Sequence, residues 1–150
     1  MLFRSLYGKS KYMGELNDLR HAITLRTSII GHETKTKHSL VDWFLSQEGK
    51  VKGYTKAIFS GLPAVELARV IGESVLLRPD LWGTYHVSAQ PLTKFELLKL
   101  IATEYKKEIE LEPDEQLALD RSLNSERFNG ATGYVPPPWP ELISLMHRNQ

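Results

Sequence analysis

The stretch Tyr7-Gly8-Lys9-Ser10-Lys11-Tyr12-Met13-Gly14-Glu15 decides how the rest of this 150-residue sequence is interpreted. Tyr7 and Lys11 are four residues apart, so in a helix their side chains leave the same face, one turn from each other. A neighbouring ammonium group favours the ionised phenol and would lower the pKa of Tyr7 from an ordinary value of about 10. The spacing is compatible with a tyrosine that transfers a proton near neutral pH, and equally with an ordinary solvated helix face.

The composition is that of an ordinary globular protein without a strong electrostatic field. Apolar residues make up 41% and charged residues 25%, and 19 basic against 18 acidic residues give a formal net charge of +1. This balance argues against nucleic acid or an anionic membrane as a partner. The sequence has no cysteine, which excludes disulfides and thiolate metal sites and fits a cytoplasmic location. No apolar run approaches the roughly 20 residues that span a bilayer.

Segments typical of strands and of helices alternate along the chain, which predicts an α/β domain. The helix that contains the opening motif is expected to continue to about Arg20, and residues 22–30 are expected to form one strand rich in β-branched residues. A polar surface loop is predicted from His32 to His38. Capping residues, prolines and apolar spacing predict later helices that begin near Ser39, Pro63, Thr93 and Pro140.

The opening motif resembles the active-site helix of the extended short-chain dehydrogenase/reductase family, whose members act largely on nucleotide sugars. The matching residues are Tyr7-Gly8, Ser10-Lys11 and Gly14-Glu15. The resemblance implies that Tyr7 gives or takes the carbonyl proton, and that Lys11 holds the nicotinamide ribose and lowers the pKa of Tyr7. Both residues would therefore be catalytic and cofactor-binding, with NADPH or NADH as the cofactor of the complete enzyme.

Two later segments extend the resemblance over nearly the whole chain. Leu25-Arg26-Thr27-Ser28 resembles the strand that follows the active-site helix in dTDP-4-dehydrorhamnose reductases and their relatives. The segment from Asp120 to Ser125 is similar to the carboxyl-terminal end of the same group, where a strand-free loop closes over the sugar nucleotide. Gly133-Tyr134 and Pro137-Pro138-Trp139 extend that similarity.

This resemblance implies a nucleotide-linked sugar as the ligand and a role in polysaccharide biosynthesis. The residues expected to contact the ligand are Arg26, Ser28, Ile29 and Arg121. Ile29 departs from the group, which tends to place an aromatic residue there to pack on the sugar. The particular sugar is therefore open.

The sequence lacks the glycine-rich turn that binds a dinucleotide between a strand and a helix. Only six residues precede Tyr7, so the strand that carries the family's catalytic serine or threonine is not represented. We therefore expect a single partial domain, the carboxyl-terminal part of a Rossmann-like reductase with its sugar-nucleotide-binding subdomain. Residues 1–31 would end the catalytic Rossmann region, and 32–150 would be mainly substrate-binding. The chain alone should lack reductase activity, and a separate amino-terminal half is a candidate partner.

Several alternatives stay open. Arg26, inside a predicted strand, is explained better by a structural ion pair than by a phosphate contact, because an unpaired charge there would be costly. Arg121 could bind a nucleotide phosphate or organise its loop. His32 and His38 do not have the spacing of metal ligands, so no metal is expected. The chain could instead be a sugar-nucleotide-binding module, a non-catalytic subunit, or part of an epimerase or dehydratase of the same family.

Overall fold

In a computed structural model of the protein, which describes residues 6–33 and 38–150, helices and strands alternate. The helices are α1 (Leu6–Met13), α2 (Leu40–Ser46), α3 (Ala64–Val70), α4 (Lys94–Glu104), α5 (Glu126–Thr132) and α6 (Trp139–Arg148), and a π-helical turn (Ile71–Val75) continues α3. The strands are β1 (Ile23–Arg26), β2 (Ile29–Ile30), β3 (Lys50–Tyr54), β4 (Ala57–Phe59), β5 (Leu62–Pro63), β6 (Gly83–His86), β7 (Leu92–Thr93), β8 (Glu110–Asp114) and β9 (Leu119–Asp120). The predicted α/β class is confirmed.

Most of the strand pairs are parallel. β1 pairs with β6, β2 with β5, and β3 with β8, while β4 lies between parallel β9 and antiparallel β7. Parallel neighbours end at the same edge, so Arg26 at the end of β1 lies opposite His86 at the end of β6. Ligands of open α/β sheets bind at this carboxyl-terminal edge, which makes it the place to search for a site.

The hydrophobic core is built by the segment that follows β1. Its fully buried side chains include Val41, Phe44, Leu62, Val87, Leu97, Ile101, Phe128 and Leu142. Helix α6 packs against α3 and α4 through its apolar face, and buries Trp139, Leu142, Ile143 and Met146. Helix α1, by contrast, buries none of its residues. Within residues 6–33 and 38–150, no helix is long and apolar enough to cross a membrane.

The predicted helix starts are confirmed at atomic detail. The Ser39 hydroxyl accepts a hydrogen bond from the Asp42 amide at 3.0 Å, which caps α2. Thr93 and Glu96 exchange hydrogen bonds in a capping box at the start of α4. Helix α3 begins directly after Pro63, and α6 has a proline in its first turn. Residues 34–37 of the predicted polar loop lie outside the described residues.

Two predictions about the first thirty residues are wrong. Helix α1 ends at Met13 rather than near Arg20, because the chain turns at Gly14, whose amide donates to the Lys11 carbonyl at 3.2 Å. The predicted strand 22–30 is two strands. The pairing of β1 with β6 ends at Arg26. The Ser28 carbonyl then accepts a hydrogen bond from the Leu62 amide at 2.9 Å, which starts the pairing of β2 with β5.

The carboxyl-terminal segment is also more regular than expected. Residues Leu119–Asp120 form strand β9, where a strand-free loop was predicted, because the Leu119 amide donates to the Lys56 carbonyl at 3.1 Å. Helix α5 then occupies residues 126–132 and ends at Gly133, whose φ of 74° suits glycine. The loop without regular structure is therefore reduced to residues 121–125.

Candidate active-site cavity

Tyr7 and Lys11 leave the same face of α1, as their spacing predicts. The Lys11 ammonium nitrogen lies over the Tyr7 ring, 5.7 Å from its centroid, in a cation–π arrangement. The Tyr7 side chain is 72% exposed. The Ser10 hydroxyl donates to the Tyr7 carbonyl at 2.9 Å, a bond within the helix that leaves the phenol unaffected. A phenol and an ammonium group are thus adjacent and accessible to a ligand.

A cavity of about 520 Å³ opens between α1 and the carboxyl-terminal ends of β1 and β6. It is lined by Tyr7, Gly8, Lys11, Tyr12, Gly14, Glu15, Thr24, Leu25, Arg26, Thr27, Ser28, His86 and Leu123. Four of the six residues that were predicted to form the site therefore share one cavity, namely Tyr7, Lys11, Arg26 and Ser28. The other two, Ile29 and Arg121, do not line it.

Arg26 is held by an acidic residue of the same cavity wall. Its guanidinium donates to both carboxylate oxygens of Glu15, at 2.6 Å in each case. The hydrogen bond from Arg26 lowers the pKa of Glu15, although burial opposes this, and the same bond raises the pKa of Arg26. The structural ion pair expected for Arg26 is confirmed, so any ligand anion must share the guanidinium with Glu15.

Ser28 and Ile29 lie where the chain passes from β1 to β2. The Ser28 carbonyl accepts from the Leu62 amide, and the residue lines the cavity floor beside Thr27. Ile29 points away from the core with 60% of its side chain exposed, whereas the adjacent Ile30 is buried at 5%. The alternation of the strand thus separates an exposed isoleucine from a core isoleucine.

Arg121 begins the loop that follows β9, and its side chain is exposed. Its backbone amide donates to the Ile58 carbonyl at 3.2 Å, which continues the pairing of β9 with β4. Next to it, hydrogen bonds from the hydroxyl and amide of Ser122 lower the pKa of Asp120. Two residues beyond Arg121, Leu123 lines the cavity, so the loop borders the site even though Arg121 does not.

Glu15, His86 and Leu123 are among the cavity residues that were not predicted as site residues from the sequence. Glu15 belongs to the opening motif, and its carboxylate is a candidate partner for the arginine of the predicted strand. His86 ends a strand that is parallel to β1, and a polar residue at the end of a predicted parallel strand is a recognisable signal. Leu123 belongs to the Asp120–Ser125 segment that resembles the loop over the sugar nucleotide, but the long-range contacts that bring this residue to the cavity leave no local signal.

The donors on α1 fit one end of a nicotinamide dinucleotide. The exposed Tyr7 phenol and Lys11 ammonium offer adjacent hydrogen-bond donors, which suit the hydroxyl groups of a ribose. No glycine of the sequence belongs to a turn that would bind the pyrophosphate. Within residues 6–33 and 38–150, no group of three or more histidine, aspartate and glutamate side chains could hold a metal ion.

Comparison with solved structures shows the fold: it is similar to that of about half of each of several dTDP-4-dehydrorhamnose reductases. No protein-family model matches the sequence, and no curated protein matches it either.

Several of the similar structures are named as dTDP-4-dehydrorhamnose reductases, and others as a nucleotide-sugar epimerase or dehydratase. A hypothetical dTDP-4-dehydrorhamnose reductase from Sulfolobus tokodaii shares 23% identity at a TM-score of 0.67, over 89% of this chain and 51% of that one. The dTDP-4-dehydrorhamnose reductase of Bacillus anthracis, solved with NADP, shares 22% identity at a TM-score of 0.66, over 85% and 48%. The UDP-N-acetylglucosamine 4-epimerase of Bacillus cereus shares 18% identity at a TM-score of 0.58, over 85% and 45%. The chain therefore spans about half the length of the structures it matches.

Proposed function

We propose that this chain supplies the substrate side of a cytoplasmic NAD(P)H-dependent reductase that acts on a nucleotide-linked keto-sugar in polysaccharide biosynthesis. The observation that carries the proposal is the cavity in which Tyr7, Lys11, Arg26 and Ser28 meet at the carboxyl-terminal edge of β1 and β6. In this proposal residues 1–31 end the catalytic Rossmann region, and residues 32–150 mainly bind the sugar nucleotide. The solved reductases of the same fold support it.

The two residues on α1 have complementary roles in this reaction. NADPH or NADH, when bound, supplies the hydride that adds to the keto carbon. The Tyr7 phenol donates its proton to the carbonyl oxygen, and the cavity keeps this group accessible to the sugar. The Lys11 ammonium, adjacent to the Tyr7 ring, binds the nicotinamide ribose and stabilises the phenolate left after proton transfer.

The sugar nucleotide is proposed to contact the strand ends and the loop beyond β9. Ser28 and Arg26 both line the cavity, and a ligand anion there would share the Arg26 guanidinium with Glu15. Ile29 and Arg121 lie outside the cavity and are proposed to contact the parts of the ligand that extend beyond it. Arg121 suits a phosphate group, since its charged side chain is exposed on a loop.

A second half with a dinucleotide-binding turn is the proposed partner. In the described part of the chain β1 pairs only with β6, so its other edge can accept a further parallel strand. Helix α1 beside it buries no residue and exposes Leu6 at 85% and Met13 at 84%. Exposed apolar side chains beside an open strand edge indicate a surface for another α/β unit.

Reductase activity is tested by adding the missing cofactor-binding half. The isolated chain is expected to give no turnover with NADPH and a dTDP-4-keto-sugar. When it is combined with the amino-terminal half of a reductase of this fold, turnover should appear, and Tyr7→Phe should lower kcat by at least about a hundredfold, in the range of lost general acid catalysis. Tyr54→Phe, on β3 and outside the cavity lining, is the matched control. Ordinary turnover by the isolated chain would contradict the proposal.

A sugar-nucleotide-binding module without catalysis is the second candidate, since the cavity and loop belong to this chain. Calorimetry with dTDP-glucose separates the two: binding without turnover, even in the presence of the amino-terminal half, supports a module. An epimerase or dehydratase of the same fold would also use the tyrosine and lysine pair. Solved epimerase and dehydratase structures with this fold support that alternative. Product analysis distinguishes these, because only the reductase consumes a stoichiometric amount of NADPH.

A further inference from the structure

Two buried serines hold one residue of the loop between β9 and α5. The Leu123 amide donates to the Ser60 hydroxyl oxygen at 2.9 Å. The Ser88 hydroxyl donates to the Leu123 carbonyl at 3.0 Å, and the Ser88 hydroxyl oxygen lies 3.2 Å from the Ser125 hydroxyl oxygen. Ser60 is 1% exposed and Ser88 is 2% exposed. Both backbone polar groups of Leu123 are therefore satisfied by side chains from other elements, an arrangement that we call the serine clamp.

The serine clamp is built on the ends of β4 and β6, of which β6 borders the cavity. Ser60 directly follows β4, and Ser88 lies two residues after β6. The Ala89 amide donates to the Ser60 carbonyl at 2.8 Å, so the two strand ends are also bonded directly to each other. A buried hydroxyl without a partner costs free energy, and the Leu123 backbone supplies the partner for each serine.

The clamp determines where the loop lies relative to the cavity. Residues 121–125 have no regular secondary structure. At the start of the loop the Arg121 amide donates to the Ile58 carbonyl, and the Ser122 amide donates to the nearby Asp120 carboxylate. Leu123 lines the cavity that contains Tyr7, and neither Ser60 nor Ser88 does so. The serines therefore act on the cavity wall through Leu123.

We propose that Ser60 and Ser88 are positioning residues that fix the loop of Arg121 and Leu123 as one wall of the sugar-nucleotide site. The inference rests on the proposed function, and it adds two residues that touch no ligand. Without the clamp, the loop samples many conformations and the ligand must order it on binding. Affinity for the nucleotide sugar then falls even though every contacting side chain is still present.

The test combines calorimetry with amide hydrogen exchange measured by NMR on the full chain. Ser60→Ala is expected to accelerate exchange at the Leu123 amide at least tenfold, and Ser60→Ala and Ser88→Ala should each weaken dTDP-glucose binding about 5- to 20-fold. Ser88→Thr retains the hydroxyl, and the cavity of about 360 Å³ beside Ser88 has room for its methyl group, so it should bind like the wild type. Ser46→Ala is the matched control, because the Ser46 hydroxyl donates to the Trp43 carbonyl at 2.7 Å on the exposed face of α2.

The outcomes separate the clamp from the proposed function. Wild-type affinity in both alanine variants would overturn the clamp, and so would equal weakening in Ser88→Ala and Ser88→Thr, which would indicate a packing role instead. If Ser60→Ala does not fold, the comparison of Ser88→Ala with Ser88→Thr decides. If the wild-type chain binds no nucleotide sugar, the proposed function fails. The clamp is then tested by hydrogen exchange at the Leu123 amide alone: faster exchange in Ser60→Ala supports the clamp, and unchanged exchange overturns it.

Discussion

The Arg26 guanidinium binds the Glu15 carboxylate through two parallel hydrogen bonds, Nε to Oε1 and Nη2 to Oε2, both 2.6 Å long. The pair joins the turn after α1 to the end of β1, and the Glu15 side chain is only 8% exposed. Bidentate geometry and partial burial distinguish it from ordinary surface ion pairs. Together with the bonds from the Leu16 amide to Thr24 and from Thr84 to Asn17, it ties the segment after α1 to β1 and β6.

Glu15→Gln is expected to lower the free energy of unfolding by about 1–3 kcal/mol, the range of hydrogen bonds to a charged group. The amide can accept only one of the two bonds from Arg26, and the partly buried guanidinium loses its counter-charge. Urea denaturation followed by circular dichroism measures the change. Glu110→Gln is the control, because the Glu110 carboxylate pairs with Lys50 at 3.1 Å on an exposed surface and should contribute nothing measurable.

The same ion pair predicts a pH dependence. Arg26 holds the pKa of folded Glu15 below the ordinary value of 4.5. A carboxylate with a depressed pKa stabilises the fold above its unfolded pKa, and this stabilisation is lost as the pH falls through the folded value. The difference in stability between the wild type and Glu15→Gln should therefore shrink from about pH 5 towards about pH 3. A constant difference over this range would contradict the assignment.

Gly61 lies where two strand ends approach each other too closely for a side chain. A Cβ atom built at this position would overlap the Ser28 carbonyl oxygen and come within 2.5 Å of the Phe59 ring. Gly61→Ala is thus expected to destabilise the protein by about 2–4 kcal/mol through overpacking and backbone displacement. Gly130→Ala is the control, since a Cβ there meets nothing within 4 Å in α5 and helix propensity should make the change neutral or stabilising. Thermal unfolding of both variants measures the contrast.

Local interactions were predictable from the sequence, and this explains which parts of the site could be anticipated. The pairing of Tyr7 with Lys11 spans one helical turn, and the caps at Ser39 and Thr93 span three residues. The spacing along the sequence is therefore enough to predict each of these interactions. These predictions needed no knowledge of the tertiary structure.

Contacts between distant residues were not predictable in the same way. The hydrogen bond from Leu123 to Ser60 joins residues 63 apart, and nothing near either residue indicates it. The break between β1 and β2 has the same cause, because the β-branched run of 22–30 favours one strand, while two different partner strands divide it. Tertiary pairing overrides local propensity at such points.

Tyr105 should make the protein sensitive to alkaline pH. Burial raises the pKa of its phenol to about 12, and the phenol oxygen lies 2.8 Å from His32 Nε2. A group whose folded pKa exceeds its unfolded value stabilises the fold below the unfolded pKa, here 10.0, and this contribution is lost as the pH rises through the folded value. The wild type should thus lose stability between about pH 10 and about pH 12, and Tyr105→Phe should lose less. Urea denaturation across this range measures the two slopes, and equal slopes would refute the prediction.

Substitutions at the adjacent residues Ile29 and Ile30 should distinguish a role in ligand binding from a role in stability. Ile30→Ala removes a side chain that is 5% exposed in the core, and it should cost about 2–5 kcal/mol of unfolding free energy. Ile29→Ala removes a side chain that is 60% exposed, so the stability should change by less than about 0.5 kcal/mol. The two variants delete the same atoms from neighbouring positions, and each is therefore the control of the other.

Ile29 thus offers a direct test of the proposed sugar contact. If Ile29 packs against the sugar outside the cavity, Ile29→Ala should weaken dTDP-glucose binding several-fold by calorimetry while its melting temperature stays at the wild-type value. Replacement by an aromatic residue, Ile29→Tyr, should strengthen binding, because a planar ring covers more of a sugar face than an aliphatic branch. Unchanged affinity in both variants would remove Ile29 from the site and confine the ligand to the cavity between α1, β1 and β6.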